Sequence, residues 1–181
     1  MTAFPTLETE RLLLRCFELS DAATIQQLLN DPEVTGNLMD TNLPYSLEDA
    51  ERLITNSHRA FEAGDAYVFA VVRKSNDTLV GYCDLEIQPH HKRGEIAYWI
   101  GRPYWWQGYA TEAAKYVIKF GFETLNLNRI YAHVIKRNTA SAGVLTKAGL
   151  HLEGTQRQGV YKNDMYEDVE FYGLLREDYA G

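Results

Sequence analysis

Residues 95–123 open with Glu95-Ile96-Ala97-Tyr98-Trp99-Ile100, turn over 101–106, and continue as Gln107-Gly108-Tyr109-Ala110-Thr111-Glu112-Ala113 towards Glu123. The first six residues are rich in the β-branched and aromatic types that suit a half-buried strand. Apolar residues then recur at Ala110, Ala114, Val117, Ile118, Phe122 and Leu125, while Glu112, Lys115, Lys119 and Glu123 share another face. That spacing predicts a helix. A strand that enters a helix through a side-chain-free turn leaves the first helical N–H groups without partners. Those donors and the positive end of the helix dipole form an anion site that suits a pyrophosphate. Gly108 admits a close backbone approach, and Ala110 keeps the next position open.

Two common phosphate loops are excluded. No Gly-Lys-Ser/Thr follows the turn, so it is not a P-loop, and the three spaced glycines of a dinucleotide fingerprint are missing. A second segment sharpens the reading. Asn138-Thr139-Ala140-Ser141 opens another helix, which closes at Lys147-Ala148-Gly149-Leu150. Together the two segments resemble the GNAT N-acetyltransferase superfamily, and most closely its RimJ/RimL branch of ribosomal-protein N-terminal acetyltransferases. The resemblance runs from Leu7-Glu8-Thr9-Glu10-Arg11-Leu12 to the last strand.

That resemblance implies an α/β fold: a mostly antiparallel sheet of about seven strands, splayed at its two central strands, with helices on both faces. It implies one acyl-CoA N-acyltransferase domain over residues 1–181. Acetyl-CoA is the implied cosubstrate, and a primary amine, either a protein N-terminus or a small molecule, is the implied acceptor. The pantetheine arm would pair with backbone near Tyr98, Trp99 and Ile100, and a bulge in that strand would aim an N–H at the thioester carbonyl. Pyrophosphate would rest on Gln107, Gly108, Tyr109, Ala110 and Thr111.

Acyl transfer needs a proton acceptor for the amine, a donor for the oxyanion and a hydroxyl or acid for the departing thiolate. By resemblance Glu95 stands where several GNAT enzymes draw their base. Its residues alone also allow a strand-end carboxylate facing water, paired with Arg93. Ser141 matches the position beside the sulfur, against the alternative of a local backbone bond. Asn138 is the better N-cap, which frees Ser141, and it also matches a pantetheine-binding residue. Lys147 either reaches the nucleotide phosphates or is a solvated helix lysine. An acyl-CoA sensor without turnover is the rival to catalysis.

The loop departs from the family pattern. Trp105 opens it, and Trp106 stands where glycine is usual; with Tyr104 and Tyr109 these aromatics either line a groove or pack. Some RimL-type enzymes place an acidic base shortly before the last hairpin, where this chain has Val160.

The rest of the chain supplies the frame. Residues 10–17 read as a strand, and Ser20-Asp21 as the cap of a helix carrying Ala22, Ile25, Leu28 and Leu29. Residues 33–45 read as a loop, which the resemblance implies lies near the acceptor; a plain connector is the alternative. Ser46 caps a helix that ends at Gly64. Strands follow at 67–73 and 79–88, then at 129–135 after the central helix, and finally at 151–160 and 164–174.

With 181 residues the chain suits one domain. A net charge of −7 argues against nucleic-acid binding; it suits a cationic amine, and equally plain solubility. No leader and no membrane-length apolar run is present, so a cytoplasmic protein that binds no membrane is expected. Cys16 and Cys83 lack metal spacing and are expected reduced and buried, and His90-His91 lacks further ligands, so no metal is expected. Last-strand edges in such folds pair as homodimers.

Overall fold

Alternating apolar side chains place the central strands between two helical layers. The computed structural model describes residues 3–180. In chain order the elements are β1 (Leu7–Glu8), β2 (Leu12–Arg15), α1 (Ala22–Leu29), α2 (Pro32–Thr35), α3 (Leu47–Ala63), β3 (Ala66–Arg73), β4 (Thr78–Gln88) and β5 (Arg93–Ile100). Then come α4 (Tyr109–Lys119), β6 (Arg129–Ile135), α5 (Thr139–Lys147), β7 (His151–Lys162) and β8 (Met165–Leu175). All eight strands form one sheet in the order β1-β2-β3-β4-β5-β6-β8-β7, the two-residue β1 completing it.

One face of the sheet packs Leu14, Phe69, Leu85, Ile96 and Ile130 with Ala113, Val117 and Ile118 of α4 and with α5. On the other face Val72, Leu79 and Trp99 meet Ile25 and Leu29 of α1 and Ile54 of α3. Residues 96 and 99 of β5 thus serve opposite cores. Cys83 is buried and Cys16 half-buried, both as free thiols.

Local capping explains most boundaries. Ser46 Oγ accepts the Asp49 N–H at 3.0 Å while the Asp49 carboxylate accepts the Ser46 N–H at 2.9 Å, and Gly64 ends α3 with φ 79°. Asp21 sits at the start of α1 but does not cap it. Its carboxylate takes both Arg15 guanidinium nitrogens, at 2.8 and 2.9 Å, and the Glu18 N–H. The stretch expected as loop at 33–45 begins instead with α2, because Asp31 caps it and Pro32 occupies its first turn.

The sheet opens at its centre. Strands β5 and β6 are the parallel pair, and they pair only over Arg93–Glu95 with Arg129–Tyr131. Beyond Glu95, β5 stays on β4 alone, while β6 stays on β8 through Ile135. The expected bulge in β5 is not there: its register against β4 runs unbroken from Gly81↔Ile100 to Gln88↔Arg93. The irregularities lie instead at Val71/Val72 and within β7. Among the described residues no helix is long and apolar enough to cross a membrane.

Candidate active site

The opening between β5 and β6 leaves backbone unpaired. The Gly101 N–H donates to Val80 O at 2.8 Å, on the β4 side. Because successive peptide groups alternate, the groups of Tyr98 and Ile100 face the gap, and those of Trp99 face β4. Trp99 is therefore corrected: its backbone belongs to the sheet and its side chain to the α1/α3 core, 5% exposed.

At the mouth of the gap, α4 begins without a side-chain cap. Gly108 holds φ 80°, a left-handed conformation that glycine adopts freely. The Glu112 N–H is the first to bond, to Gly108 O at 3.0 Å, and the N–H groups of Gln107 to Thr111 have no acceptor among the described residues. A first-turn carboxylate could fold back onto those donors. Glu112 is drawn elsewhere, to Thr9 Oγ1, to the Arg11 N–H at 2.9 Å and to Arg11 Nε at 2.7 Å. Burial pushes its pKa up, but these bonds and the Arg11 charge together pull it further down, so it is held below the usual carboxylate range. Arg11 also donates to Gln107 O at 2.9 Å and lies over the Tyr109 ring, bracing the loop.

The loop aromatics divide. Tyr109 is buried, and the Trp105 indole N–H donates to Ile100 O at 2.6 Å, so both serve packing with Tyr104. Trp106 is 88% exposed and takes φ 63°, a conformation its bulk does not favour.

On the α4/α5 face, the Asn138 carboxamide oxygen accepts the Ser141 N–H at 3.2 Å, which caps α5. Ser141 Oγ is thereby left to the Tyr98 hydroxyl at 2.9 Å, and that hydroxyl also donates to Ser141 O at 3.0 Å. Burial pushes the Tyr98 phenol well up, keeping its proton. Lys147 is exposed at the far end of α5, about 12 Å of helix rise beyond Thr139; the structure does not bring it to these groups.

The opposite face carries carboxylates. Glu95 meets His133 Nδ1 at 3.0 Å rather than Arg93, whose Nε donates to Gln88 at 2.8 Å. Gln88 in turn donates to the Tyr131 hydroxyl at 3.0 Å, and that phenol is raised by burial and then by the Glu95 charge. Asp84 is 5% exposed, accepting from the Tyr82 hydroxyl and from the Ala97 N–H, each at 2.9 Å. Burial pushes its carboxyl up to about 7. The wall beside this face is tied across the molecule. Arg137 bonds Gly36 O, Asn37 Oδ1 and Glu167, and Lys162 Nζ donates to Thr41 O at 2.7 Å.

Glu95, Tyr98, Ile100, Asn138, Ser141 and the 107–111 turn thus surround one opening. Sequence reasoning missed Arg11, Asp84 and His133 as members. A charged residue inside the apolar run of 79–85 was the available signal for Asp84. For His133 the signal was its shared face with Tyr131.

The chain matches the family model described as an acetyltransferase (GNAT) domain over residues 11–151. It is 37% identical over 178 residues to N-acetyltransferase p20 of Bacillus licheniformis, covering 97% of this chain and 99% of that one. It is 28% identical to a ribosomal-protein-serine acetyltransferase of Escherichia coli, covering 83% and 79% respectively. The solved structure of a GNAT-family acetyltransferase from Bacillus anthracis superposes with a TM-score of 0.85 at 26% identity, covering 96% of this chain and 99% of that one. With a parted sheet, an uncapped helix end and these likenesses together, the chain belongs to the GNAT family and is an acetyl-CoA-dependent N-acetyltransferase.

Proposed function

We propose that the protein holds acetyl-CoA and a primary amine together and that the amine attacks the thioester directly, with no acetylated enzyme between. The observation that carries this reading is the continuity of open groups, from the Tyr98 peptide group and the Ile100 N–H to the N–H groups of 107–111. A pantetheine arm offers amides that can pair with the former like an added strand. A diphosphate suits the latter. Gly108 and Ala110 keep that approach clear, Asn138 offers its remaining amide hydrogens to the arm, and Lys147 is left a solvated lysine.

The chemistry divides between the two faces. On one, the Glu95–His133 pair stands where an ammonium would give up its proton. On the other, Ser141 Oγ and the Tyr98 hydroxyl can protonate or solvate the departing thiolate. An amine entering from the first face and a thiolate leaving by the second have separate proton sites, so neither proton must cross the reacting bond.

The acceptor is a protein N-terminus of the ribosomal-protein kind, in keeping with the likeness to the Escherichia coli enzyme. A small amine is the second reading. It is favoured by Glu86 and Glu95, which share the acceptor face by register and would draw a compact cation. A cytoplasmic setting fits either acceptor. The exposed edge of β7 is where a homodimer would form.

A thiol-release assay with acetyl-CoA tests this against peptide N-termini, amino acids, polyamines and aminoglycosides. Release that depends on one amine class supports the reading and names the acceptor. Tight CoA binding with no amine-dependent release would instead support an acyl-CoA sensor.

A further inference from the structure

We propose that His133 is the base that takes the amine's proton, and that Glu95 is the positioning carboxylate that fixes its ring. This rests on the acetyl-transfer reading above and divides the roles within its Glu95–His133 pair.

The geometry assigns the roles. Glu95 lies 3.0 Å from Nδ1, and its negative charge there favours the tautomer with the proton on Nδ1, which leaves the lone pair of the neutral ring on Nε2. Among the described residues nothing hydrogen-bonds Nε2. The ring is held by aromatic neighbours: Phe171 meets it edge-on at 4.5 Å between centroids, and Tyr131 lies at 5.4 Å. Its place in the sheet matters equally. Tyr131 makes the last pairing with β5, opposite Glu95, and His133 stands two residues further on the same face, where the strands have parted. Continuing the parallel register places Ala97 opposite, an exposed residue whose methyl group leaves room for an amine. A Glu95 carboxylate already engaged by Nδ1 is a poorer direct acceptor than the open nitrogen it supports.

Other charged or titratable groups share this face by register: Asp84 and Glu86 on β4, Arg93 on β5, Arg129 and Tyr131 on β6. Strand β8 adds Glu167, which is taken by Arg137. The balance is closed. The ammonium gives one proton to Nε2, and the neutral nitrogen forms the C–N bond as the C–S bond breaks. Nε2 returns that proton to solvent and then takes the second nitrogen proton, while the thiolate takes its proton from the Ser141 hydroxyl, which solvent restores.

The test measures kcat/KM for the best amine against pH in wild type, His133→Gln and Glu95→Gln, with acetyl-CoA affinity measured for each. His133→Gln is expected to lose ~100-fold in kcat and to lose the acidic limb of the profile. Glu95→Gln is expected to keep that limb while kcat falls about 10-fold and KM for the amine stays near wild type, as befits a group that only positions the ring. Both should bind acetyl-CoA like wild type. A limb that survives in His133→Gln overturns the assignment, and its loss in Glu95→Gln alone makes Glu95 the base. Nitrogen-15 NMR of the free protein gives an answer independent of turnover. The Nδ1–H tautomer at His133 is expected, and an Nε2–H tautomer overturns the proposal. Wild-type protein that releases no thiol with any amine overturns the acetyl-transfer reading, and this base with it.

Discussion

The two longest helices begin in opposite ways. At α3 every option for closing the end is used: Ser46 and Asp49 bond each other's backbone. At α4 the N-cap is Gly108, which has no side chain, and the nearest carboxylate, Glu112, is held by Thr9 and Arg11. Two buried aspartates repeat the contrast. Asp21, beside α1, is met by the Arg15 guanidinium, whereas Asp84, beside the gap, has only neutral donors. The half of the sheet under α1 and α3 is saturated. The half around β5 keeps groups in states that cost stability, on the order of 1 kcal/mol for a missing cap alone.

The largest expected effect tests the aspartates. The carboxyl of Asp84 rises from an ordinary 3.8 to about 7 on folding, so between those values the native state holds a proton that the unfolded chain has released. Stability therefore declines as pH rises from about 4 to about 7, by up to ~4 kcal/mol. Asp84→Asn should flatten that decline in melting curves taken across the range. An unchanged slope would remove Asp84 from the contrast.

Closing the open helix end comes next. Gly108→Asp strains the left-handed turn and sets a negative charge where the diphosphate would lie. CoA affinity by calorimetry should fall about 100-fold, or ~2.7 kcal/mol. Full retention of affinity would show that the α4 end is not the phosphate seat. Ser141→Ala should slow turnover roughly 10-fold with acetyl-CoA affinity kept, because Asn138 still caps α5. Wild-type rates would make that hydroxyl structural. Ser46→Ala should cost about 1 kcal/mol in denaturant unfolding and leave turnover alone; a kinetic effect would blur the division between the halves.

What could be read from the sequence was local. Gly108 before a helical period, Ser46 three residues before Asp49, and Asn138 three before Ser141 are short-range patterns with one physical meaning each: the open start of α4 and the caps of α3 and α5 are all found. Ser141 was identified for the same reason, since a helix needs only one capping oxygen. The missed residues depend on strand register. Arg11 reaches Gln107 across 96 positions, and His133 meets Glu95 only because β5 and β6 run parallel for three pairs. Nothing local distinguishes such residues from solvated ones. Trp99 was misassigned because a five-residue apolar run, 96–100, conceals which peptide groups point to which neighbour. Asp31 and Pro32 do form a helix start, but a four-residue helix is too short for periodicity to reveal.

The tethers on the 36–41 segment have an evolutionary consequence. Arg137 and Lys162 grip it by the main-chain oxygens of Gly36 and Thr41, atoms every amino acid owns. Between those anchors only the Asn37 side chain joins the tether, through its amide oxygen on Arg137. The side chains at 38–40 are free to change without the segment losing its station.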